Sequence, residues 1–137
     1  MITDPYFSIN RGADRLLEQY KLHGSLVVAF DFDDTIYDYH KKGFTYPKVV
    51  SLLLECQELG MTLIMLTTTE DENHYKENLA YCKSLGLDVK YVNTGPVMPK
   101  ARKPFFNVYL DDKAGLRQAY DMLNHVVQVI KKQGEMK

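Results

Sequence analysis

Two apolar runs in this chain end in clustered acids. Val27-Val28-Ala29-Phe30 leads into Asp31-Phe32-Asp33-Asp34-Thr35, and Val108-Tyr109-Leu110 leads into Asp111-Asp112. On an extended strand, side chains at i and i+2 share a face, so Asp31 and Asp33 project together. Acids that merely cap strand ends account for one such pair. Two pairs at the ends of neighbouring strands would repel one another severely unless a cation sat among them. Hard carboxylate oxygens suit Mg²⁺, which takes one or two carboxylates, keeps some waters and accepts a phosphate oxygen. The chemistry to expect is that of a Mg²⁺ ion held between carboxylates and a phosphate group.

The elements that must position these acids follow from hydrophobic spacing. Residues 9–22 place Ile9, Ala13, Leu16, Leu17 and Tyr20 on one helical face, and Gly24 closes that helix. Leu26 to Phe30 reads as a strand covered on both sides. Pro47 opens a second helix with Val49, Val50, Leu53 and Leu54 inward, ended by Gly60. Thr62 to Leu66 is a second buried strand. Thr69 and Glu72 have the spacing of a capping box for a helix that runs to about Leu85, with Gly86 after it. Asp88 to Val92 reads as a third strand, the stretch 93–104 with three prolines and a glycine as a loop, and Phe106 to Leu110 as a fourth strand. A last helix carries Leu116, Ala119, Leu123, Val126 or Val127, and Ile130. Strands alternating with helices indicate a mainly parallel sheet in a three-layer α/β/α, Rossmann-like sandwich. Such sheets bind ligands beyond the carboxyl ends of their strands, where both acid pairs fall.

Composition narrows the classes. The chain has 137 residues, 45% hydrophobic and 26% charged, with a net charge of −1. That describes one globular domain and gives no overall attraction for nucleic acid. No apolar run approaches the ~20 residues of a membrane span, and the first residues lack the pattern of a secretory signal. Cys56 and Cys82 lie far apart inside helical patterns, too few for a zinc site and unpromising as a disulfide. A cytoplasmic setting is expected. His23, His40, His74 and His125 show no metal-ligand spacing and read as surface or packing residues.

The ordered motifs resemble those of the haloacid dehalogenase-like hydrolase superfamily. Residues 27–36 look like its first motif, an apolar strand followed by D-x-D-x-T. Thr67, after Leu63-Ile64-Met65-Leu66, looks like the second. Lys103, upstream of Asp111-Asp112, looks like the third, together with the two-Asp form of the fourth. The resemblance spans about residues 26–120 and implies roles. Asp31 would be the nucleophile that forms an acyl phosphate. Asp33 would protonate the leaving oxygen and then activate water. Asp31 and the main-chain carbonyl of Asp33 would bind Mg²⁺, with Asp112 as a direct ligand and Asp111 beside it. Thr67, with its backbone N–H, would hold phosphoryl oxygens, and Lys103 would offset charge. Asp34 stands where many relatives have Gly and is expected to point outward.

With no repeat or linker-like stretch, the chain reads as a single domain over 1–137, and measured against that family its gaps leave room only for a minimal core without a cap domain. Residues 1–24 form a helical extension, 25–122 the catalytic core and 113–133 the C-terminal helix. The gap from Thr35 to Pro47 fits only a short hairpin-like flap at residues 36–46. Capless relatives act on large phosphorylated partners or borrow a neighbouring subunit as a lid, which allows for a homo-oligomer. Tyr37, Tyr39, His40, Lys41, Lys42, Phe44 and Tyr46 on the flap, with Lys100, Arg102 and Lys103, interleave basic and aromatic residues. Such a set suits a nucleotide or a nucleic-acid end, although a solvated hairpin tip has the same composition. The expected activity is thus a Mg²⁺-dependent phosphatase for phosphate monoesters, in a general or a nucleotide and nucleic-acid-end version. A non-catalytic binding or regulatory domain of the same fold is the rival from another class.

Overall fold

The computed structural model describes residues 3–69, 71–96 and 104–135. After a single 3₁₀ turn at Pro5–Phe7, the elements are α1 (Ile9–His23), β1 (Val27–Asp31), α2 (Pro47–Glu58), β2 (Thr62–Leu66), α3 (Glu72–Ser84), β3 (Tyr91–Val92), β4 (Val108–Leu110) and α4 (Leu116–Glu135). The four strands form one parallel sheet in the order β3-β2-β1-β4. This is the expected α/β, Rossmann-like sandwich.

Register explains the core. Val28 pairs with Leu63 and Val108, and Phe30 with Met65 and Leu110, so these six side chains share a sheet face. They join one apolar cluster with Leu16 of α1, Leu52 and Cys56 of α2, Cys82 of α3 and Leu123 of α4. Ala29 and Ile64 point the other way and are equally buried. Gly95, just after β3, lies against Ile64: a Cβ built on it would meet Ile64 Cδ1 at 2.7 Å. The proline-rich β3–β4 crossover is irregular among its described residues, as its composition requires.

Several boundaries differ from the sequence expectation. β3 has two residues rather than five. Asp88 donates its N–H to Gln57 Oε1 of α2 (2.6 Å), and Gln57 Nε2 donates to Gly86 O (2.9 Å). Those bonds hold the chain on α2 before it reaches the sheet. The cap of α3 is Asp71, which accepts from Asn73 N (2.9 Å), and not Thr69. The buried stripe of α2 is Val49, Leu52, Leu53 and Cys56, with Val50 and Leu54 only partly covered. In so apolar a helix, several faces compete, and the contacts with α4 and β2 choose among them.

The N-terminal helix is tied into this frame. Gly12 packs so closely on Met122 of α4 that a Cβ there would overlap its Sδ. Asn107 accepts from Val27 N with Oδ1 (2.7 Å), and its Nδ2 donates to Gln19 Oε1 (3.1 Å), joining α1 to the start of β1. Lys131 of α4 meets Glu55 of α2 at 2.6 Å. No helix among the described residues is long and apolar enough to cross a membrane.

Candidate active site

Asp31 is the last residue of β1 and is half-buried. The chain then coils tightly: the N–H groups of Ile36 and Tyr37 both donate to Phe32 O (3.2 Å each), and Asp34 N donates to Tyr37 O (2.7 Å). The coil buries Phe32 and Ile36 and leaves Asp33 at its rim. Asp34 takes the left-handed conformation (φ 59°), which Asp tolerates better than most residues. It does not simply point outward: its Oδ2 lies 2.9 Å from His40 Nδ1.

Thr35 is the buried joint of the site. Its Oγ1 accepts from Asp112 N (3.1 Å) and lies 3.4 Å from Asp112 Oδ1 as donor, linking the first acid group to the second. β1 and β4 are neighbours, and one carboxylate oxygen from each of Asp31, Asp111 and Asp112 lies within 4.8 Å of the others. The part expected of Asp33 at a metal belongs to its main-chain carbonyl, and its carboxylate stands outside this group.

The electrostatics follow from the crowding. Burial, a hydrogen bond shared with Asp112, and the charges of Asp111, Asp112 and Asp33 push Asp31 up to about 7. Asp33 is also raised, by burial first and then by Asp34 and Asp112, with His40 opposing. The Tyr109 phenol, on β4 and close to Asp111 and Asp31, is pushed up to about 12, chiefly by burial. It therefore stays neutral. The donor set, three hard carboxylates with no salt-bridge partner among the described residues, fits Mg²⁺.

Thr67 follows β2, on the other side of β1. Its backbone N–H is taken: Asn93 Oδ1 accepts from it (2.8 Å), while Asn93 Nδ2 donates to Thr67 O (2.8 Å). That corrects the expectation that this N–H serves a phosphate. The Thr67 hydroxyl, which accepts from Thr69 N (3.3 Å), remains, as does the Thr68 N–H, which has no partner among the described residues. Lys103, with Lys100 and Arg102, lies outside the described residues. The structure thus brings Asp31, Asp111 and Asp112 together, with Asp33 and Thr67 on the side facing α3.

Residues that spacing did not single out complete the neighbourhood. Asn93 left only a faint cue, an Asn directly after a strand. The flap is no hairpin but a loop wound on the Asp38 carboxylate, which accepts from the N–H groups of Lys42, Gly43 and Phe44 (3.2, 2.8 and 3.2 Å). Of its aromatics, Tyr37 stacks on Phe32, whereas Tyr39 and Phe44 are exposed. Between flap and α3 opens a cleft of about 450 Å³ that includes Asp33 and Thr67 in its wall.

No family model matches the chain, and no curated protein does. Among solved structures, the chain is similar to a conserved protein coded by a locus of Bacteroides thetaiotaomicron. The two are 25% identical, the likeness covers 74% of this chain and 91% of that one, and the TM-score is 0.59.

Proposed function

We propose that the protein is a Mg²⁺-dependent phosphatase of the haloacid dehalogenase-like type, which hydrolyses phosphate monoesters through an aspartyl phosphate on Asp31. One observation carries the reading: carboxylate oxygens of Asp31, Asp111 and Asp112 converge within 4.8 Å at the ends of adjacent parallel strands. Asp31, Asp111, Asp112 and the Asp33 carbonyl would hold the ion, which supplies positive charge against both carboxylates and phosphate.

The chain's own groups divide the work. An Asp31 oxygen attacks phosphorus and the ester P–O bond breaks. Asp33, whose raised pKa favours the protonated form, gives its proton to the departing oxygen. As a carboxylate it then takes a proton from water. The resulting hydroxide attacks phosphorus, the acyl P–O bond breaks, and inorganic phosphate leaves with Asp31 restored. Thr67 Oγ1 and the Thr68 N–H steady the phosphoryl oxygens, and Lys103 offsets their charge. Most of this task is positioning and charge stabilisation. A cytoplasmic setting goes with the reading and is supported by the two free, buried thiols, Cys56 and Cys82.

The test is turnover of a panel of phosphate monoesters with Mg²⁺ and with a chelator. Activity should need the metal, vanish in Asp31→Asn, and fall by about 10²–10⁴ in Asp33→Asn. A nitrophenyl ester should suffer less than an alkyl phosphate in the first step of Asp33→Asn, because its leaving group needs no proton. Full turnover without metal, or in Asp31→Asn, would refute the mechanism. Phosphate-ester binding without turnover would favour the regulatory-domain reading.

A further inference from the structure

The cleft beside Asp33 has a composition that the phosphate chemistry does not use. Its α3 wall is formed by His74, Glu77, Asn78 and Tyr81, spaced i, i+3, i+4 and i+7 along one helical face. This polar face explains why α3 is so poorly apolar a helix, with Cys82 as its one buried residue. Opposite stand Tyr37 and Tyr39 of the flap. Tyr37 and Tyr81 meet edge-on, centroids 5.0 Å apart, and both pack on Phe32, giving a fixed aromatic floor. At its inner end are the group that protonates the leaving oxygen and the hydroxyl of Thr67.

Three properties define what fits. The volume, about 450 Å³, is that of a small-molecule site. Aromatic faces accept a ring, while Glu77, Asn78 and His74 supply acceptors and donors suited to hydroxyl groups. Among the described lining residues, Lys41 on the flap is the one lysine or arginine, and Glu77 sets a carboxylate on the α3 wall, so a second anionic group lying along α3 would be repelled. We infer that this cleft is the leaving-group subsite, and that it takes the alcohol part of a monophosphate ester: an uncharged, hydroxyl-bearing ring, as in a sugar or a nucleoside. The inference rests on the phosphatase reading for its orientation. It selects against polyanionic substrates, including the nucleic-acid ends that the basic flap suggested.

The experiment compares kcat/KM for glucose 6-phosphate, adenosine 5′-monophosphate, p-nitrophenyl phosphate and a 5′-phosphorylated oligonucleotide, in the full chain and in Glu77→Gln/Asn78→Ala. One ring alcohol phosphate should exceed the aryl ester and the oligonucleotide by about tenfold, and the double change should cut its advantage over the aryl ester by about tenfold. Tyr39→Ala, at an exposed flap position, should reduce the same ratio without threatening the fold. The arm that wins, sugar or nucleoside, names the source of the ring. A preference for the oligonucleotide, or a ratio unmoved by both variants, would overturn the subsite. Backbone amide shifts on adding glucose or adenosine judge the cleft apart from catalysis. Shifts along α3 in the wild type, lost in the double variant, support it even if no ester is hydrolysed; their absence for both compounds counts against it.

Discussion

Asn93 grips both the N–H and the C=O of Thr67, and its own backbone sits at φ 56°, where Asn is among the better-tolerated residues. The grip fixes the peptide that presents the Thr67 hydroxyl. Asn93→Asp keeps the shape but sets an oxygen against Thr67 O, so we expect a fall in kcat/KM of about 10-fold or more with little change in far-ultraviolet circular dichroism, because a misplaced contact group is costly. Asn93→Gly, which relieves the backbone and loses the grip, should also be impaired. Wild-type kinetics in both would remove Asn93 from the site. Asp34 makes a second test. Its charge helps to raise Asp33, so Asp34→Gly should lower the Asp33 pKa and move the alkaline limb of the kcat/KM profile to lower pH. Position 34 also shows the reach of the sequence. That an Asp stands there was visible, but its pairing with His40 depends on a coil whose bonds leave no local signature.

At the scale of elements, Gly12 and Met122 set how closely α1 approaches α4. Ala is the better helix former by roughly 0.5–1 kcal/mol, so propensity alone would make Gly12→Ala stabilising. Overpacking costs roughly 1–3 kcal/mol. We expect a net loss of about 1 kcal/mol in urea unfolding, recovered in part when Met122→Ala makes room. Additive effects of the two changes would mean that the helices do not depend on this contact. β1, β2 and α4 were legible because burial leaves a strong mark: unbroken apolar runs, or a stripe such as Leu123, Val126, Val127 and Ile130. β3 is shorter than its sequence suggests because the side chain of Gln57, remote in sequence, takes the Asp88 N–H. Thr69 and Asp71 are both good capping types near the start of α3, and only the path of the β2–α3 loop decides between them. The two acid pairs were legible as pairs, and their meeting follows from strand order. The α3 face toward the cleft was not, since polar residues at helical spacing read as solvent-facing.

For the whole molecule, the acid cluster links stability to pH. Asp31 is raised from 3.8 to about 7 in the folded chain, and Asp33 is raised as well. The folded state therefore binds more protons than the unfolded state between these values, so stability without metal falls as pH rises through that window. With a chelator, Tm should be lower at about pH 8 than at about pH 5, and added Mg²⁺ should raise it more at the higher pH. Asp112→Asn should flatten the chelator profile. A metal-free Tm that rises across this range would contradict the cluster as described. The sheet order has a further consequence, for the growing chain on the ribosome. β1 is made first among the strands yet sits inside the sheet, with β2 on one side and β4, about eighty residues later, on the other. Segments emerge N-terminal first, so one edge of β1 must wait, unpaired, until β4 has followed it. Asp111 and Asp112 arrive with that last strand. A nascent or prematurely terminated chain thus carries Asp31 without its companions, and the acid cluster comes together only once β4 has been made.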